Sequence, residues 1–172
     1  MAQYKLALAQ LSDFDRCMEI LASGRRFQRT QGFVQWEDHF PNGTLIRNDL
    51  ENGFGYVLKA DDVIAAYLYL GFDGDPSYPE IRGAWKYDGD YAVIHRIAIG
   101  DEYRGMGLST VIFQQVAEIC RGKGIPLLRI DTHRDNKRMQ HVLTKNGFEY
   151  CGIVIQNGGD RLAYEKRLLM ED

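Results

Sequence analysis

Apolar and polar residues alternate from Tyr4 to Ala9, the period of a strand with one buried face. The spacing then lengthens to that of a helix carrying Phe14, Met18, Ile20 and Leu21, with Ser12 standing as its N-cap. Residues Gly32 to Asn42 are aromatic (Phe33, Trp36, Phe40) but lack a clean period, and a second helix is predicted from Thr44 to Glu51, stopped at Asn52-Gly53. Phe54 to Ala60 and Val63 to Phe72 read as two strands joined by a tight turn at Asp61-Asp62. The stretch Asp73 to Asp90 is broken by Gly74, Pro76, Pro79, Gly83 and Gly89 and reads as a long loop, of a length that often carries function. Tyr91 to Ile99 is apolar almost throughout, as a central strand would be. The pattern then predicts a helix over Met106 to Arg121, a strand over Pro126 to Thr132 and a helix over Lys137 to Asn146. Phe148 to Ile155 and Arg161 to Leu169 close the chain as a hairpin around Asn157-Gly158-Gly159. The predicted order is βααβββ followed by αβαββ.

The length of 172 residues suits one domain, and no linker, repeat or low-complexity tract divides residues 1–172. A net charge of −3 argues against a surface that neutralises many phosphates, so nucleic acid is not expected as a partner. The absence of a basic start with an apolar run, and of any membrane-length apolar stretch, predicts a cytoplasmic protein with no membrane partner. Cys17, Cys120 and Cys151 have neither disulfide-framework nor zinc spacing and read as buried thiols. Asp131-Thr132-His133 with His141 is not ligand spacing either, and no metal is expected.

The segment that carries chemistry is Gly100-Asp101-Glu102-Tyr103-Arg104-Gly105-Met106-Gly107-Leu108-Ser109, between a buried strand and a helix. Glycines there let backbone approach a ligand closely, and the first N–H groups of a helix form a site that favours anions. Each hydrogen bond to a charged partner contributes about 1.5–3 kcal/mol against about 0.3–1 kcal/mol for the helix dipole, so the amides would dominate binding. The segment is not a dinucleotide fingerprint, which would need glycine where Thr110 stands. It is not a Walker loop either, and Gly122-Lys123-Gly124 reads as a helix C-cap. A nucleotide phosphate site stays open as a weaker reading.

Ile97 to Leu108 resembles motif A of the GCN5-related N-acetyltransferase (GNAT) superfamily, and Asn136 followed by Lys145-Asn146-Gly147-Phe148 is similar to that family's Asn…Lys-x-Gly-Phe ending. The resemblance implies an α/β (α+β) three-layer fold, with a mixed, mostly antiparallel sheet of about seven strands and helices on both faces. It implies acetyl-CoA as co-substrate and a primary amine of a small molecule or peptide as acceptor; a homodimer is a separate expectation. Arg104, Gly105, Met106, Gly107, Leu108 and Ser109 would hold the pyrophosphate, although Ser109 stands where the family has Gly or Ala. Ile97, Ala98 and Ile99 would pair by backbone with the pantetheine arm, and Asn136 joins the coenzyme site.

The spacing of Ile94, Ile97 and Ile99 breaks strict alternation and suits a β-bulge near His95 and Arg96, where a freed amide could stabilise an oxyanion. A lysine-like amine of pKa about 10.4 is neutral only about once in 2,500 at pH 7, so a base is expected. His95 is the first candidate and Glu80 the second. The first has an ordinary packed histidine as its alternative, the second a solvated carboxylate. The family's usual acid, a tyrosine seven residues after Asn136, is Leu143 here, which leaves Tyr150, Cys151 or water as substitutes and keeps open a non-catalytic acyl-CoA-binding domain. Trp36, Phe40, Tyr78 and Trp85 are candidates either for an aromatic substrate pocket or for core packing.

Overall fold

The structure is a computed structural model that describes residues 1–170; the last two residues of the predicted 1–172 domain lie outside the described residues. It contains four helices, α1 (Phe14–Thr30), α2 (Gly43–Glu51), α3 (Leu108–Gly122) and α4 (Lys137–Lys145). Its eight strands are β1 (Tyr4–Leu8), β2 (Gly55–Ala60), β3 (Val63–Gly71), β4 (Arg82–Gly83), β5 (Tyr91–Ile99), β6 (Leu127–Thr132), β7 (Glu149–Gln156) and β8 (Gly159–Arg167). The hydrogen-bonded order is β1-β2-β3-β5-β6-β8-β7-β4. Pairing is parallel for β5–β6 and antiparallel for β1–β2, β2–β3, β6–β8, β7–β8 and β4–β7, which is the expected mixed, mostly antiparallel sheet. The strand beyond the expected seven is β4, two residues inside the predicted loop 73–90.

The chain forms two compact units, Met1–Leu70 with His95–Gln115, and Gly71–Ile94 with the described part of 116–172. In the first, Cys17, Ile20 and Leu21 of α1, Ile46 of α2, Val57 of β2 and Tyr67 of β3 form one buried cluster with Trp36. Gly24 lets α1 approach β5: a Cβ there would lie 3.0 Å from the Ala98 Cβ and 3.2 Å from the Trp36 ring. Gln115 satisfies the backbone of β1, accepting from the Leu6 N–H (2.6 Å) and donating to the Tyr4 carbonyl (2.9 Å).

In the second unit, Tyr78, Val93, Val154 and Ala163 make a buried cluster against which Trp85 packs. The loop 73–90 is pinned by polar contacts. The buried Glu165 carboxylate pairs with Arg129 (2.7 Å) and accepts the Lys86 and Tyr87 N–H groups, and the Arg129 guanidinium stacks on Trp85 and Tyr91.

Several boundaries move for local reasons. Ser12 is not the cap of α1: it lies in a 3-10 turn, Leu11–Asp13, and Asp13 accepts the Gln10 N–H at 2.8 Å. Asn42 caps α2, accepting from Leu45. The closing hairpin turns on two residues rather than three, because Asn157 and Gly158 both have positive φ and Gln156 pairs with Gly159. The C-cap reading of Gly124 holds, with φ 72° and the Ile125 N–H donating to the Cys120 carbonyl.

Candidate functional site

At the end of β5 the Gly100 N–H donates to the Ala65 carbonyl (2.8 Å), and the chain turns through the 3-10 segment Asp101–Tyr103. Gly105 and Gly107 follow with φ of 78° and 72°, in the left-handed region where other residues cost roughly 1–2 kcal/mol. These two glycines delay α3 to Leu108, two residues later than the apolar pattern predicts. A Cβ on either would meet no atom within 4 Å, so the loop is open on the side where a ligand would lie. The N–H groups of the first turn of α3 have no partner within the helix, which leaves donors directly after the open glycines. Met106 is exposed, whereas the Leu108 side chain is buried, so Leu108 can offer a ligand only its backbone.

The Arg104 side chain faces the protein. It donates to the Ile99 carbonyl (2.9 Å) and to the Ser23 hydroxyl (3.4 Å), stacks on the Phe27 ring at 4.2 Å, and pairs with Asp101. Its role is therefore to fix the loop against α1. Ile97 and Ile99 are half-buried while Ala98 packs toward α1 and Trp36.

The predicted break in β5 is present. Arg96 has φ 51°, and the consecutive side chains of His95 and Arg96 fall on one partner: the His95 ring lies 5.5 Å from the Tyr69 ring and the Arg96 guanidinium 4.6 Å from it. In a regular strand consecutive side chains would point to opposite faces. Arg96 is gripped by Asp49 of α2 through two hydrogen bonds of 3.0 and 2.8 Å, and the Tyr67 hydroxyl donates to the same carboxylate at 2.7 Å. The Asp49 and Arg96 side chains are 2% and 14% exposed. Charge-assisted bonds of this kind, about 1.5–3 kcal/mol each, outweigh the left-handed penalty of about 1–2 kcal/mol. Burial, with the Asp49 charge second, pushes the Tyr67 phenol far above its ordinary range, so it stays a donor. This Tyr67–Asp49–Arg96 network was not anticipated from the sequence; the available signal was a carboxylate on the apolar stripe of α2, beside Ile46 and Leu50.

Glu80 and Asn136 belong to the second unit. Glu80 is exposed in a 3-10 turn, Tyr78–Glu80. Asn136 caps α4, its side-chain oxygen accepting the Met139 N–H at 3.1 Å. Leu143 is fully buried. Tyr150 is exposed and meets Tyr164 edge-on. The Cys151 thiol is buried, and its pKa is raised, first by desolvation and then by Glu165. Of the four aromatic candidates, Trp36 and Tyr78 are buried in the core and Trp85 packs against Tyr78, while Phe40 is half-buried against the first cluster. Asp131 accepts the Tyr78 hydroxyl (2.8 Å) and the His133 Nδ1 accepts the Asp135 N–H; among the described residues no group of three His, Cys, Asp or Glu side chains is placed to hold a metal.

Residues 15–148 match the family model described as the Acetyltransferase (GNAT) family. A GNAT-family acetyltransferase from Streptococcus agalactiae 2603, known from its crystal structure, is 35% identical, with 98% of each chain aligned and a TM-score of 0.88. A Bacillus subtilis (strain 168) protein, provisionally named a ribosomal protein bS18-alanine N-acetyltransferase, is 32% identical over 98 residues. That match spans 55% of this chain and 64% of the relative's length. At 15% identity, the PaiA N-acetyltransferase from Thermoplasma acidophilum, crystallised in complex with coenzyme A, shares the fold, with a TM-score of 0.72 over 96% of this chain and 99% of that one.

Proposed function

The chain belongs to the acetyltransferase (GNAT) family, and on that premise we propose that residues 1–172 form one acetyl-CoA-dependent N-acetyltransferase domain acting on a primary amine of a small molecule or peptide. The observation that carries this reading is the pair of left-handed glycines, Gly105 and Gly107, open on one side and leading directly into the first turn of α3.

Acetyl-CoA supplies a thioester activated toward amines. The N–H groups from Gly105 to Ser109 hold its diphosphate, and Arg104 keeps that loop in shape from behind. The backbone of Ile97, Ala98 and Ile99 aligns the pantetheine arm. An amide next to the left-handed Arg96 donates to the acetyl oxygen as negative charge builds there. The acceptor nitrogen attacks the acetyl carbon, the C–S bond breaks, and the nitrogen's proton passes to His95 directly or through water. Leu143 offers no acid, but a thiolate of pKa about 8.5 leaves with a protonation gap of only about 2 kcal/mol at pH 7. Asn136, whose oxygen caps α4, and Glu80, an exposed carboxylate, belong to the second unit and take no part in the step described.

The buried Leu143 favours a second reading, an acyl-CoA-binding domain without turnover. Free-thiol release from acetyl-CoA separates the two, measured over polyamines, aminoglycosides, amino acids and peptide N-termini. A peptide starting with alanine belongs in that panel because of the Bacillus subtilis relative's name. Amine-dependent release supports the transferase; tight coenzyme binding with no release for any amine supports the second reading.

A further inference from the structure

Resting on the transferase reading, we propose that Asp49 is a positioning residue for the reaction: through Arg96 it holds β5 in the kinked form that presents His95 and the following amide. Asp49 sits on α2, remote in sequence from motif and base alike, and is nearly fully buried. Its carboxylate accepts from both Nε and Nη2 along one edge of the Arg96 guanidinium, and from the Tyr67 hydroxyl. A core ion pair is a poor device for stability alone, since an apolar replacement often serves as well. Here the pair has a geometric consequence. Arg96 occupies a backbone conformation that L side chains rarely adopt, with no glycine at that position. Without the grip, only the stacking of Arg96 on the Tyr69 ring opposes the return of φ 51° to an ordinary strand value. Relaxation to a regular strand would send one of the residues 95 and 96 to the opposite face and rotate the next amide. The Tyr69 ring, which contacts both side chains, would keep only one of them.

This predicts a defect in turnover with little change in coenzyme binding, because the Gly105–Ser109 loop lies elsewhere and is held by Arg104, Ser23 and Phe27. It also predicts rescue by glycine, which adopts positive φ without a partner. The experiment uses the full chain and three proteins: wild type, Asp49→Asn, and Asp49→Asn with Arg96→Gly. Asp49→Asn should lower kcat about ten-fold or more, with Kd for coenzyme A within about two-fold, and lose the nuclear Overhauser contacts between the His95 and Tyr69 rings. The double variant should regain those contacts and most of the lost kcat. A general loss of packing would instead leave the double variant at least as impaired as the single one. Retention of the ring contacts in Asp49→Asn overturns the proposal, as does an unchanged kcat or a double variant that recovers neither readout. If the wild type releases no thiol with any amine, the transferase reading fails on its own, and the ring contacts in the same three proteins still decide whether Asp49 holds the kink.

Discussion

Replacing Gly107 by glutamate is the perturbation that bears most directly on the loop. Gly107 has φ 72° and a free space of more than 4 Å around the would-be Cβ, so the new side chain meets no steric block. The left-handed backbone costs the variant roughly 1–2 kcal/mol, well below the 5–15 kcal/mol stability usual for a domain, so it should stay folded. A carboxylate placed about 5 Å from a bound phosphate charge repels it by about 3 kcal/mol at an effective dielectric constant of about 20. That corresponds to a Kd for coenzyme A raised about a hundred-fold, measured by calorimetry at an ionic strength of about 0.1 M. Gly107→Gln bears the same backbone strain without the charge and should weaken binding less than about ten-fold. The gap between the two should shrink near 1 M salt, where screening acts within about 3 Å. A folded Gly107→Glu protein with Kd within about two-fold of wild type would mean that the diphosphate does not lie on this loop.

Glu165→Gln leaves the buried Arg129 charge uncompensated and should cost about 3 kcal/mol, seen as a fall of roughly 10 °C in Tm; a drop under about 2 °C would contradict it. Gly24→Leu forces a side chain into the 3.0 Å gap to Ala98 and should lower stability by about 1–3 kcal/mol in urea denaturation, and an unchanged midpoint would mean that α1 does not pack on β5 as described. Cys17 and Cys120 have thiol pKa values pushed up to about 12, chiefly by burial, so the native chain keeps protons that the unfolded chain releases from about pH 8.5 upward. Stability from these groups is complete below that pH and is lost as pH rises toward 12, with Tyr67 and Tyr78 acting in the same direction. The urea midpoint should therefore be lower at pH 10 than at pH 7, and a higher one would be contrary to the burial of these groups.

The elements that position the loop were legible because each rests on a local rule. The apolar run of β5, the glycines after it and the amphipathic α3 are visible in the continuous stretch Tyr91–Gly122, and so is the broken alternation that the left-handed Arg96 explains. What holds that break in place was not legible. Asp49, Tyr67 and Arg96 are brought together by tertiary packing across spans of 18 and 47 residues, and no periodicity encodes such a pairing. The same holds for loop 73–90. Its prolines and glycines predict irregular backbone, but its anchoring on Glu165 of β8 and the pairing of the two-residue β4 with β7 depend on strands that lie beyond α4 in the chain. The start of α3 was misread by two residues because Met106 fits the apolar period while the φ values of its flanking glycines do not fit a helix.

In the proposed site, acetyl-CoA lies with its diphosphate on the Gly105–Ser109 backbone. A crystal structure of the chain with coenzyme A tests it most directly. Diphosphate oxygens should lie within about 3 Å of two or more N–H groups between Gly105 and Ser109, with the Arg104 guanidinium still turned toward Ile99 and Phe27. A coenzyme bound with its diphosphate elsewhere, or held by the Arg104 side chain while the loop amides stay unliganded, would contradict it.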